Sequence, residues 1–391
     1  MIRTSLLLLC WGSWLGAEPL EYKGNLTLDT AYIDHDLPDK WHSQNALRLE
    51  MELKQPLTQG ELLLNAQGLY DTKDSKRRYL NLHDLYYKHA FDNSDLLIGR
   101  TTRFWGAMEF YNQSDLFNTK DWRDNPFDYD RKIGAWNLAY TYYFDNADLS
   151  LITKLHEEEQ RVQDQHAIDN LLPNNYHADL ETQADQDRPT LYLKYAGSGE
   201  EIQLDYALIY QNGYDGQRYL VATKEQLHQY AYLVNKVMGY ATLISGETLY
   251  KTELAYTLSD DHHVADYAQG SIGLEHTLYG VIHSIDLGLI AEYYRYQTQE
   301  NKKLDADDFG QLFDNDLALG FRMTLNDDGD SDLLGGVIMD QDNHEKIYAL
   351  EYNTRLKDHY KLKLTFEHFT PKRDSLFPKE DRSSLSFGYY F

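Results

Sequence analysis

The chain has 391 residues, 63 of them acidic and 37 basic, for a net charge of −26, with 33 tyrosines and a single cysteine. So acidic a chain repels nucleic acid, and one cysteine excludes a disulfide scaffold. Mean hydropathy is −0.64, and after residue 17 no run approaches the roughly 18 apolar residues of a membrane helix.

The first element is a signal peptide over residues 1–17. Arg3 precedes an apolar run from Leu6 to Leu15, and the small residues Gly16 and Ala17 mark the cleavage site. Residues 18–391 then form one domain that repeats one theme, about ten residues of alternating character followed by a connection. In NLTLDTAYI, Leu26, Leu28, Thr30 and Tyr32 share a face; in NALRLEMELK, Leu47, Leu49, Met51 and Leu53 oppose Arg48, Glu50, Glu52 and Lys54. Further along, Leu204, Tyr206, Leu208 and Tyr210 oppose Gln203 and Asp205, while Leu317, Leu319, Phe321 and Met323 oppose Asp316, Gly320, Arg322 and Thr324. Near the end, Leu362, Leu364 and Phe366 oppose Lys361, Lys363 and Glu367, and Leu385, Phe387, Tyr389 and Phe391 oppose Ser384, Ser386, Gly388 and Tyr390. Period two throughout predicts an all-β chain.

The connections alternate as well. Short polar turns fall at 92–95, 145–148, 197–200, 245–247 and 357–360, and long polar segments lie between them at 104–131, 157–188, 212–229, 297–312 and 370–381. Short and long in turn place all tight turns at one end of the strands and all loops at the other, the layout of a transmembrane antiparallel β-barrel with long extracellular loops. The spacing predicts 16 to 18 strands, with 18 favoured. Strands near 79–90 and 230–243 have ambiguous phase. A barrel satisfies its backbone between strands, so only alternate residues need to meet lipid.

Two stretches resemble known families. The closing alternation of Phe387, Tyr389 and Phe391 resembles the C-terminal signal of Gram-negative outer-membrane proteins, which implies the barrel assembly machinery as a partner. Gly99 to Trp136, with Gly99-Arg100, Trp105-Gly106, Asp115, Asn118, Asp121, Asn125-Pro126 and Asp128, resembles a segment of porin-like families, including the alginate-export type. The resemblance implies an outer-membrane location in contact with lipid and lipopolysaccharide. The strand faces here are not arginine-rich as in alginate exporters, so it implies a porin rather than a polyanion exporter.

Residues on the polar faces are candidates for the pore lining: Arg48, Glu50, Asp205, Lys251, Glu253, Arg322, Glu351, Arg355 and Lys363. They lean slightly acidic, which predicts a weak cation preference; cross-strand pairing within the wall accounts for the same residues. Loop 104–131 is the candidate constriction, because its many aromatics need something to pack on; it adds Asp115, Asp121, Arg123, Asp124 and Asp128. Acids concentrate in 157–188, where Ca or Mg bridging to lipopolysaccharide phosphates competes with simple solvation of an exposed surface. Asp260, Asp261, His262 and His263 could serve general-base chemistry, but a polar strand-end turn explains them better; no catalytic motif or resident cofactor is legible. The expected function is passive or facilitated diffusion of small hydrophilic solutes through a non-enzymatic channel. The alternative is a barrel that acts through its loops, as an adhesin or surface enzyme.

Overall fold

The computed structural model describes residues 19–123, 131–170, 172, 175–199, 201–223, 226–299, 313–372 and 378–391, so the expected signal peptide lies outside the described residues. In chain order the strands are β1 Glu21–Asp34, β2 Ser43–Leu57, β3 Gly60–Asp71, β4 Arg78–Ala90, β5 Ser94–Thr101, β6 Asp121–Trp122, β7 Ala135–Tyr143 and β8 Ala147–Lys154. There follow β9 Arg161–Val162, β10 Tyr176–Thr182, β11 Thr190–Gly199, β12 Leu204–Tyr214, β13 Tyr219–Thr223, β14 Gln226–Ala231, β15 Leu233–Ser245 and β16 Thr248–Ser259. The last are β17 Tyr267–Ile282, β18 Ile285–Thr298, β19 Asn315–Thr324, β20 Asp332–Asp340, β21 Lys346–Leu356, β22 Tyr360–Thr370 and β23 Glu380–Tyr390.

Eighteen of these form one antiparallel sheet that closes on itself. The other five, β6, β9, β10, β13 and β14, lie within loops and pair with one another there. Closure joins β23 to β1, with Leu28 opposite Phe387 and Leu26 opposite Tyr389. The backbone amides of Gly24 and Phe391 each donate to the other's carbonyl at 3.0 Å, so the ladder runs to the last residue. Residue 24 has to be glycine here, because a β-carbon would stand 2.8 Å from the Phe391 ring and from the Glu50 carbonyl.

The inside–outside phase follows the alternation. Leu26, Leu28, Leu47, Leu49, Leu208, Leu319, Phe366, Phe387, Tyr389 and Phe391 are all exposed on the outer wall, where a bilayer covers them. Arg48, Glu253, Glu292 and Arg382 are buried on the inner one.

Both ambiguous strands have a physical explanation. In β4 a bulge intervenes: Asn65 pairs with Asp84 but Ala66 pairs with Leu82, leaving His83 as the extra residue. Leu80 and Leu82 point outward before it, and Leu85 and Tyr87 after it, so the sequence period slips by one. In β15 the inner face carries Val234, Met238 and Tyr240, which pack against buried material instead of water. Apolar residues on both faces erase the alternation.

The upper half of β4 is also an edge. Its ladder with β5 covers only Leu85 to Ala90, because the chain leaves β5 at Thr101 and turns into the lumen. Arg100 caps this edge, its Nε donating to the Leu82 carbonyl at 2.9 Å.

Candidate functional site

The described residues 102–123 and 131–134 of the connection between β5 and β7 fill one side of the lumen. Trp105 and Phe117 are buried against the inward residues Ala139, Ile152, Tyr192, Ile209, Met238 and Ala255. Their rings meet each other and Tyr192 edge-on or tilted, with centroids 5.3 Å apart, a geometry aromatic pairs prefer. The segment then crosses to the far wall, where Phe110 seats on Gly320 and Gly336; a β-carbon at Gly320 would lie 2.5 Å from its ring.

Two buried wall carboxylates hold this crossing by the backbone. Glu253 accepts the amides of Ala107 at 2.7 Å, Ser114 at 2.8 Å and Met108 at 3.4 Å. Glu292 accepts those of Glu109 at 2.7 Å and Phe110 at 3.1 Å, and the Tyr294 hydroxyl. Amides donating to a carboxylate in a dry site are charge-assisted and stronger than neutral hydrogen bonds. Side chains add to the anchorage: Arg322 pairs with Glu109 at 2.5 Å, and Lys251 Nζ lies 3.3 Å from Glu275 and 3.8 Å from Glu292.

A second strap crosses the extracellular mouth. From the described residues of 155–170, the carbonyls of Gln165, Ala167 and Asn170 accept Lys40 Nζ at 2.8, 3.0 and 2.7 Å, and Asp169 pairs with the buried Arg382 of β23. Under it, the fully buried Asp215 and Lys236 meet at 2.5 Å, and Asp215 also accepts the hydroxyls of Tyr267 and Tyr232. Burial pushes the Asp215 carboxyl up, but Lys236 and Tyr267 outweigh it and hold the group below its ordinary value.

What stays open is a polar passage on the other side, between segment 104–120 and the wall of β20–β23, β1 and β2. An upper cavity of about 460 Å³ is lined by Phe104, Glu109, Phe110, Asp115 and Lys120 from the loop and by Asp29, Arg48, Glu351, Lys363, Thr365, Glu367, Arg382, Ser384 and Ser386 from the wall. A lower one shares Asp29, Arg48, Arg131, Lys363 and Ser386 with it and continues to Glu50, Lys361 and Tyr390.

The candidate lining residues divide accordingly. Arg48 (2.9 Å from Asp29), Glu50 (3.5 Å from Arg131), Asp115 (2.5 Å from Lys132), and Glu351 with Lys363 (2.7 Å apart) stand in the passage. Lys251, Glu253 and Arg322 anchor the loop. Asp121 and Arg123 are buried against each other at 2.6 Å, with the Arg123 guanidinium 3.5 Å above the Tyr79 ring; they brace the loop instead of facing the passage. Asp205 and Arg355 are exposed at the periplasmic rim, bonded to Ser198 and Asp330. Asp124 and Asp128 lie outside the described residues.

Sequence reasoning missed Asp29, Glu109, Arg131 and Arg382. Asp29 and Arg382 were within reach, since counting in twos from Leu28 or from Phe391 puts each on the inner face. Three of the acids of 157–188 are matched inside the fold: Glu157 pairs with Lys154 and Arg218, Glu158 with Arg100, and Asp169 with Arg382. Among the described residues no three His, Cys, Asp or Glu side chains converge as a metal site.

No protein-family model matches the chain, and no curated protein matches it. Solved structures do. OccK9 (OpdG) of Pseudomonas aeruginosa superposes with a TM-score of 0.59 at 11% identity, over 95% of this chain and 98% of that one. OccAB1 of Acinetobacter baumannii gives 0.59 at 8% identity over 95% and 96%, and OccAB4 of the same organism 0.57 at 12% over 95% and 98%. At such identities the likeness speaks for architecture alone, and the architecture is a closed antiparallel β-barrel of eighteen strands.

Proposed function

We propose that the protein is a non-enzymatic outer-membrane channel that lets small hydrophilic solutes diffuse between the extracellular side and the periplasm. The observation that carries this reading is the division of the lumen. One side is packed dry by the inserted loop, while the other keeps two adjoining cavities that share five lining residues and carry charges of both signs. A barrel this large is too wide for its wall side chains to close, so the loop sets the passage.

The lining tempers the cation preference expected from the strand faces. Arg48, Arg77, Lys120, Arg131, Lys361, Lys363 and Arg382 stand against Asp29, Glu50, Glu109, Asp115, Glu351 and Glu367. Near-balance favours solutes that are neutral or carry both charges, and it gives little discrimination between simple ions.

Reconstitution into planar bilayers tests the proposal. Discrete conductance steps with a reversal potential near zero in a KCl gradient are expected. A protein that inserts and folds but gives no steps would contradict the reading and return attention to the loops.

A further inference from the structure

We infer that the outer surface at the top of β3 and β4 is a docking site for a phosphorylated lipid of the outer leaflet, its phosphates on Lys73, Lys76 and Arg78. In a chain with net charge −26 the stretch 73–78 is conspicuous, with Lys73, Lys76, Arg77 and Arg78 within six residues. Only Arg77 turns inward, where it is buried against Asp71 at 3.0 Å.

The other three are exposed. Lys73 Nζ reaches Ser43 Oγ at 2.7 Å, and Arg78 donates to the carbonyls of Asp71 and Thr72 at 2.8 and 3.0 Å. These partners are all uncharged. Among the described residues none of the three forms a salt bridge. Burial pushes the Asp164 carboxyl up, and the Lys76 charge helps hold it below its ordinary value without touching it; Lys73 and Arg78 carry the charge most open to an anion.

Depth on the barrel identifies the anion. Arg78 sits on the lipid-facing side of β4, its guanidinium 5.1 Å above the ring of Tyr70, directly across the ladder. Tyr70 and Trp136 are exposed at the extracellular ends of β3 and β7, where amphipathic rings settle at the headgroup level. One step below Arg78 on the same face, Leu80 is 81% exposed, offering an acyl chain an apolar track. Cations above an apolar track, beside headgroup-level aromatics, match a lipid that joins phosphate to acyl chains. A free phosphate would use the cations and ignore Leu80.

The test uses the whole protein in phosphatidylethanolamine vesicles with and without bisphosphorylated lipid A, with bound lipid counted by native mass spectrometry after extraction. Each cation lost near an anionic surface weakens binding about fivefold, so Lys73→Gln/Lys76→Gln/Arg78→Gln should retain lipid A about a hundredfold more weakly. Channel conductance should be unchanged, as should retention by the control Lys372→Gln/Lys379→Gln on another extracellular loop. Leu80→Ser should weaken retention of lipid A without altering any competition by inorganic phosphate. Equal retention by the triple variant and the wild type would overturn the inference. So would equal binding of fully dephosphorylated lipid A, or a loss of retention in the control as large as in the triple variant.

Discussion

Glu253 is fully buried, takes three backbone amides of the inserted loop and, among the described residues, forms no salt bridge. Glu253→Gln keeps the shape but gives up the charge and turns one acceptor into a donor facing other donors. The loop should loosen at Ala107–Met108, and single-channel records of the variant should show a noisier or larger open current with the barrel still folded. A trace indistinguishable from wild type would mean the loop is held by its aromatic packing alone.

Asp215 and Lys236 make the complementary case. Removing one partner of a buried pair leaves the other charge uncompensated, so Asp215→Asn should cost about 3–5 kcal/mol in urea unfolding. Because the folded-state value of Asp215 is depressed, its contribution is present above the ordinary carboxylate pKa near 4 and is lost as pH falls through the folded value. Wild-type stability should therefore fall on acidification, and the variant's should fall less steeply over the same range. At the wall, Leu319→Arg should cost about 2–4 kcal/mol near mid-bilayer, whereas Lys363→Leu removes only a half-exposed pair with Glu351 and should cost under about 1 kcal/mol. Equal costs would contradict the phase of β19 or β22.

For the strands, alternation was enough to read β1, β2, β22 and β23, because each has lipid on one side and water or polar groups on the other, and β19, whose inner face keeps Asp316, Arg322 and Thr324 around the small residues Ala318 and Gly320. It faltered in β4, where the bulge at His83 shifts the period, and in β15, where the lumen itself is apolar. The two failures have separate sources: one is an irregularity in the β3–β4 ladder, and the other is the buried material β15 faces, Trp105 and Phe117 at Met238 and Tyr219 and Tyr232 at Val234. The aromatic content of 104–131 signalled burial, but which wall carboxylates would receive the loop amides depends on the register of two distant strands, β16 and β18, which no local pattern encodes. The end of the chain is different, since Phe391 completes the β1–β23 ladder through Gly24. Deleting Phe391, or replacing Phe387 and Tyr389 with Ser, should leave export intact and cut the yield of heat-modifiable barrel in the outer membrane; normal yield would show that closure tolerates an open seam.

Across the whole molecule the lumen is asymmetric. The buried clusters lie against the walls from β5 to β19, and the charged passage lies against β20–β23, β1 and β2. This asymmetry is the central claim, because it places the route of the solute as well as the existence of a pore. Cysteine block in single channels tests it most directly, since the chain's one cysteine, Cys10, falls in the expected signal peptide. Ser384→Cys, in the passage, should react with a water-soluble methanethiosulfonate reagent and lose conductance stepwise, while Met238→Cys, in the packed cluster, should neither react nor change. Block at Met238→Cys with none at Ser384→Cys would contradict the account.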